Sequence, residues 1–513
     1  MTSHLSFLSL ILFILSIVMP FKSIAHAAGN KCSSIFSYQK MTKMQAWDFE
    51  FDNKVRHLVK IGALEIPTQD GFIAAAEVGG HHGNYGRFFW FRDIARVFQG
   101  LMRAPELYVG KAQARALEKR REVALALVKI IEDPHLQEQA LANIRNPLLH
   151  LDEAHGFNSV IWIRRMIEPF KERRSSTVDE LKEEADWGHK QNDALAALGH
   201  SLLDALAKDV LKPSDLTPQA RVNFLLLSSY FVQLKFWKMW DVGAWEESMG
   251  LRTSSVGLVT SLLERVKDGL YTEGLGTQGG EGPFFSEISK QWDSLFSQWH
   301  GETRDTIKGS LGLKSLDHAI AQGTSLVRQR LGLDSEGSVF EVQNGPHGEA
   351  RAQDVALLHL LWHPMKSLSL LDQLYLISKL KVLEREKGYI RYVGDQFLRG
   401  ARAAEWTLTD ADLVSFYSET YLKTKKNQYL QKAKYHAKRM LSQLTMAGAK
   451  TIEGEEMRPG IFPEAFVPVL ENGNIVYKVS PNSPLNWTIA NVIRAIATLN
   501  QAINLNQQLL LHQ

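Results

Sequence analysis

Cysteine is nearly absent: Cys32 stands alone in 513 residues, so no internal disulfide braces the chain and its stability has to come from packing. Asn30 and Lys31 precede it where a lipid-attachment site would need small residues, so the expectation is a free thiol or an accidental intermolecular pair. An excess of either charge is also missing, since 59 Lys and Arg against 56 Asp and Glu leave +3. With neither a basic stripe nor an acidic tail, the composition points away from nucleic acid and toward a neutral partner. No segment after the N-terminal region is apolar enough to span a membrane. Residues 5 to 21 are apolar but short of the about 20 that a spanning helix needs, and Ala25-His26-Ala27 has the small-x-small form of a signal-peptidase site. The expectation is a cleaved export signal over 1–27 and a single mature domain over 28–513, periplasmic or extracellular, monomeric and off the membrane. The lack of Lys or Arg ahead of the apolar stretch keeps an uncleaved anchor open as the alternative.

What the chain does have is 45% hydrophobic residues, enough for a large core, and 12 tryptophans. Aromatic faces suit the apolar CH patches of sugars, although most tryptophans in any protein are core. Helical period and punctuation recur throughout. "EKRREVALALVKIIEDP" (118–134) stops at a proline, Thr177 and Glu180 are placed as a capping box, and Thr217-Pro218 opens "TPQARVNFLLLSSYFVQLKFW". "NDALAALGHSLLDALAKDV", "SSVGLVTSLLERVKDGL", "AQDVALLHLLW", "TDADLVSFYSETYLKT" and "SPLNWTIANVIRAIATLNQAINL" follow. Several of these are apolar nearly all round, as helices enclosed by other helices would be. Strand signals are weak. Long polar loops are expected at 65–93, 268–290, 330–350 and 449–486, and long loops in a compact helical protein are usually functional.

Polar groups gather beside aromatics in "NYGRFFWFRD" (84–93), "DWGHKQND" (186–193), "GAWEES" (243–248) and "RPGIFPEAFVP" (458–468). Each has a plain structural reading: Arg92 with Asp93 as a salt bridge, Asp186 or Asp193 as a helix cap, Glu246 as surface charge, Glu464 as a loop carboxylate. "GGHHGN" (79–84) lacks the spacing of a metal site, and "GLGTQGGEGP" (274–283) lacks the lysine of a phosphate loop. No metal and no cofactor are expected.

Taken together, "WFRD", "WGHKQND", "AWEE" with "LRTSSVGL", "GYIRYVGDQF", "AEWTL", "FPEAF" and "PLNWTIA" resemble, in order, glycoside hydrolase family 15, the glucoamylase, glucodextranase and trehalase group, with the related regulatory subunits of phosphorylase kinase. The resemblance runs from about residue 45 to the C-terminus. It implies an all-α (α/α)6 toroid of six helical hairpins and an exo-acting, inverting α-glucosidase that releases β-D-glucose from an α-glucan or oligosaccharide. By it, Glu246 is the general acid and Glu464 the general base. Inversion asks that the two stand about 6.5–9.5 Å apart, with water between. The same matching makes Arg92, Asp93, Glu247 and Arg391 sugar contacts, Trp187 and Trp245 stacking walls, and Gln191 and Asp193 pocket-lining polar groups, with core or capping roles as the alternative for the last four. Burial beside Trp245 and a second carboxylate suits an acid that must keep its proton. The chain departs from the pattern at Gly243, where many members carry aspartate, and at Ala465, where they carry glutamine. Other readings are a non-catalytic sugar-binding relative and a trehalase-like or glucodextranase-like hydrolase.

Overall fold

The computed structural model describes residues 43–76, 86–148, 160–172, 177–185, 187–272, 281–334, 337–343 and 350–511. The 1–27 leader, Asp186 and the "GGHHGN" histidines lie outside the described residues. The chain forms two compact units, one up to His57 and one from Leu58 to the C-terminus. In the first, helix α1 (Lys43–Lys60), which runs on past His57, carries Trp47 stacked on Phe51 at 5.1 Å.

The second unit is built on six inner helical elements. These are α2 (Phe91–Leu101), α3 (Asn192–Ala207), α4 (Thr253–Tyr271), a 3₁₀ segment at Val355–Leu361, α5 (Leu408–Thr424) and α6 (Asn486–Leu511). Each packs on the next and α6 returns to α2, so the ring closes. Outside it run Lys111–Ile131, Pro218–Gln233, Leu313–Arg330, Leu370–Leu380 and Asn427–Ser442. The sequence explains this division. Along α3, buried positions run without a break from Asn192 to Leu203, and α4 is buried from Thr253 to Leu263, whereas Lys111–Ile131 alternates buried and exposed faces.

The expected punctuation is in place. Thr217 Oγ1 accepts from the Ala220 N–H at 3.2 Å, and Thr177 and Glu180 form their reciprocal cap through bonds of 2.7 and 3.3 Å. Several local expectations need correction, among them the 268–290 loop, which begins inside α4 and ends in a helix over Glu281–Lys290. "AQDVALLHLLW" is a 3₁₀ segment rather than an α-helix, capped by Asp354, whose carboxylate accepts from the Ala356 N–H at 2.8 Å. The expected 449–486 loop contains an antiparallel hairpin, Ala465–Glu471 with Asn474–Val479. Its turn is Asn472-Gly473 at φ +51° and +80°, and Asn-Gly is the pair that a two-residue turn with both φ positive prefers.

Close approach sets the ring. A Cβ on Gly100 would lie 2.4 Å from the backbone oxygen of Ala490 and 2.7 Å from its Cα, so α2 and α6 touch backbone to backbone. Gly100→Ala must push two buried helices apart, and we expect it to lower stability by about 1–3 kcal/mol. A chemical denaturation midpoint equal to the parent's would show that the helices part without cost.

Candidate active site

The N-terminal ends of all six inner elements bring residues to one cavity of about 220 Å³ or to the shell directly around it. Arg92 and Asp93 lie in the first turn of α2, Leu408 opens α5, and Trp487 is the second residue of α6. Gln191, Arg252 and Asp354 cap α3, α4 and the 3₁₀ segment. Among the sequence-selected residues, Arg92, Asp93, Trp187, Trp245, Glu246, Glu247, Arg391 and Glu464 line this cavity. Gln191 and Asp193 do not; they stand behind Arg92.

Arg92 organises the floor. Its Nε donates to Asp193 Oδ2 at 2.6 Å, its Nη1 to the Ala244 carbonyl at 2.9 Å and to Glu246 Oε1 at 3.4 Å, and its Nη2 to the Gly243 carbonyl at 3.0 Å and to Gln191 Oε1. Burial opposes its charge, while Asp193 and Glu246 hold it protonated. Its donors are therefore directed at protein groups, with Asp193 fully buried as the counter-ion.

The loop that Arg92 holds is a tight turn. Gly243 has φ +64° and Glu246 φ +56°, a left-handed geometry that costs a non-glycine residue on the order of 1–2 kcal/mol. The turn separates the neighbouring glutamates. Glu246 faces Arg92 and Gln191, whose Nε2 donates to it at 3.2 Å. Glu247 instead accepts from Arg391 and Arg351, each at 2.7 Å, and from the Tyr392 hydroxyl at 2.8 Å. Arg391 is clamped from its other side by Asp395 at 2.6 and 2.8 Å. The Trp245 indole N–H donates to Asp354 Oδ1 at 2.7 Å, which fixes that ring against the cavity.

Glu464 is positioned by the sheet. It directly precedes Ala465, which pairs with Trp406, and its backbone N–H donates to Ser483 Oγ at 2.9 Å. Burial pushes its carboxyl up to about 7, against the opposing pull of Ser480, Arg391 and Asn482. Its buried Oε2 has no protein hydrogen-bond partner. Burial also raises Glu246, opposed first by Arg92 and then by Gln191. Asp93 is pushed up to about 7 by burial, and the nearby Glu246 and Glu464 charges add to it. The site thus collects carboxyls able to hold protons near neutral pH.

The rest of the wall is aromatic. Trp90 meets Trp187 edge to face at 5.6 Å, and Trp245 lies 5.7 Å from Trp406, which is itself stacked with Phe397 at 6.1 Å. Reading the sequence did not single out Trp90, Phe397, Trp406, Leu408, Leu485 and Trp487 as cavity-lining residues. All six lie within the motifs that carried the resemblance, so the signal was present as motif letters rather than as walls. Arg351 and Asp354 had no such signal. Among the described residues no group of three or more His, Cys, Asp and Glu is arranged to hold a metal ion.

No family model matches the sequence, and no curated relative matches it. Solved structures do. The Hormoconis resinae glucoamylase superposes with a TM-score of 0.52 at 12% identity, covering 89% of this chain and 74% of that one. The Saccharomycopsis fibuligera glucoamylase gives 0.50 at 12% identity over 91% and 99%, and a wild-type glycosidase gives 0.50 at 13% over 90% and 99%. At such identities the likeness concerns fold alone. The chain has a glucoamylase-like, all-α (α/α)6 glycoside hydrolase fold.

Two predictions follow from the buried charges. Arg92→Ala strands Asp193 without its cation, and we expect a loss of about 3–5 kcal/mol; urea unfolding of the variant measures it. The second concerns pH. Glu341, whose carboxylate accepts from the Ser254 hydroxyl at 2.6 Å, is pushed up to about 8 by burial, and Asp241 and Asp412 to about 7. In the unfolded chain such carboxyls ionise near about 4, so between those values the folded state binds more protons and stability falls as pH rises. Buried His189, His200, His359 and His363 are all lowered and act oppositely, but their contribution levels off about one pH unit above their unfolded value of about 6.5. Stability should therefore decline from about pH 7.5 to 8.5, and Glu341→Gln should flatten the decline by on the order of 1 kcal/mol. Parallel parent and variant melting curves across that range would count against Glu341 as a contributor.

Proposed function

We propose that the protein is an exported, inverting, exo-acting α-glucosidase of glucoamylase type, cutting terminal glucosyl units from α-glucans or malto-oligosaccharides. The observation that carries this reading is the pair of carboxyls with raised pKa values, Glu246 and Glu464, on one tryptophan-lined cavity. A group that activates water must ionise near working pH, whereas a group that delivers a proton needs to retain it there. In the proposed step Glu464 removes a proton from water as that water attacks the anomeric carbon. The glycosidic bond breaks, and Glu246 gives its proton to the departing oxygen. Trp187 and Trp245 offer faces for sugar CH groups. Asp93 offers an acceptor to hydroxyls, while Arg92 and Glu247, engaged by protein groups, act by holding the loop and Arg391 in place.

The test is glucose release from maltose, maltotriose, isomaltose, trehalose and soluble starch, with the anomer followed by NMR. Initial β-glucose from one of them is expected, and the substrate cut names the linkage. Glu246→Gln and Glu464→Gln should each lower kcat by about 10²–10⁴-fold. Initial α-glucose, or near-normal turnover in a folded Glu464→Gln variant, would overturn the assignment. Sugar binding with no release would favour the non-catalytic relative instead.

The protonation pattern adds a pH prediction. Glu464 works only when ionised, so kcat/KM must rise with pH through its pKa of about 7, while Glu246, whose carboxyl burial raises against the pull of Arg92, must still hold its proton. An acidic limb near pH 7 is expected. A limb near the ordinary glutamate value of about 4.3 would mean that Glu464 does not set it.

A further inference from the structure

A second cavity, of about 280 Å³, lies behind the wall of the first and is lined by Arg385, Arg399, Arg402, Asp395 and Glu405. The wall follows the two-residue alternation of extended chain. Trp406 and Arg391 line the first cavity, while their neighbours Glu405 and Ile390 line the second. At the rim, Phe397 belongs to one and Arg399 to the other.

The charges of the second cavity do not cancel locally. Asp395 is taken by Arg391 and by the Phe397 N–H at 3.0 Å, and Glu405 accepts from the Lys387 N–H at 2.6 Å and the Tyr477 hydroxyl at 3.0 Å. The arginines have no carboxylate partner among the described residues. Arg385 donates only to the backbone carbonyls of Val382 and Glu384, at 2.8 and 2.7 Å, and Arg402 to the Tyr477 hydroxyl at 3.3 Å. Arg399 and Arg402 are exposed. Planar guanidinium donors with open valences around a cavity suit a tetrahedral or planar oxyanion, which can accept two parallel N–H bonds from each.

We infer that this cleft is an oxyanion-binding site, for a phosphate, sulfate or carboxylate group, independent of the hydrolytic reading. The anion is either free or carried as an acidic substituent on a glycan that crosses the Phe397 rim. Isothermal titration of the full chain at low salt, carrying Glu246→Gln so that the sugars stay intact, with inorganic phosphate, sulfate, maltotriose and maltotriose oxidised to its aldonate, separates the sources. Arg399→Ala/Arg402→Ala, which removes two exposed side chains without a carboxylate partner among the described residues, should keep the parent's thermal melt. It should weaken anion binding at least tenfold and leave neutral maltotriose unaffected. Aldonate binding at least tenfold tighter than phosphate assigns the glycan source; phosphate or sulfate binding as well as the aldonate assigns the free anion. Absence of anion binding in the parent, or equal binding in the double variant, overturns the site. These readouts do not involve hydrolysis, so they stand or fall apart from glucose release.

Discussion

The candidate site depends on one buried guanidinium. Arg92 joins α2 to the cap of α3 through Gln191 and Asp193, and to the 243–246 turn through two carbonyls and Glu246. Only a planar fork with several donors can meet groups in so many directions at once, and an ammonium on a flexible stem could not. The charge would be prohibitive to bury alone; Asp193 offsets it. In return the turn can hold Glu246 in a left-handed conformation that the chain by itself disfavours. Removing the cation would release the strain together with the geometry.

Two opposing fields act on the carboxyls at this end of the ring. The N-termini of the inner helices present positive partial charge, which favours ionised groups. Desolvation favours neutral ones. Burial wins at Glu464, Asp93 and Glu246, whose pKa values are raised despite the helix ends. The three are not equivalent, because the nearest cation differs. Arg92 stands 3.4 Å from Glu246 and restrains its rise. A sugar filling the cavity would expel water from Glu246 and add to the desolvation that keeps its proton in place.

Much of this was legible in the sequence, for definite reasons. The inner helices could be recognised because enclosure requires apolar residues on every face, as in "NDALAALGHSLL". The caps at Thr177 and Thr217 follow from local chemistry. The Asn472-Gly473 hairpin carries its own turn signal, although its solvent-facing residues Leu470, Ile475 and Val476 obscure the usual alternation. What could not be read was long-range. Arg351 and Asp354 reach Glu247 and Trp245 from a segment about a hundred residues away, by bonds that no local pattern announces. Arg92, a sugar contact by the resemblance, lines the cavity and gives its donors to Asp193, Gln191, Glu246 and two carbonyls, a set of bonds equally without local signal.

The two departures from the glucoamylase pattern have different physical reasons, one steric and one of polar burial. At Gly243, φ is +64° and a Cβ would stand 3.0–3.1 Å from Cγ, Cδ and Nε of Arg252, which caps α4. An aspartate there would displace that arginine or the turn it supports. Ala465 is fully buried in an apolar cluster with Ala404, Trp406, Leu408 and Val467. A glutamine in that cluster would bury an amide without obvious partners, at a cost of about 1–3 kcal/mol. The polar partners of Glu464 come instead from Ser480 and Asn482, beyond the far strand of the hairpin. The sheet therefore does for Glu464 what Arg92 does for Glu246: each carboxyl is held by groups distant in sequence, and a different set of neighbours gives each its own proton affinity.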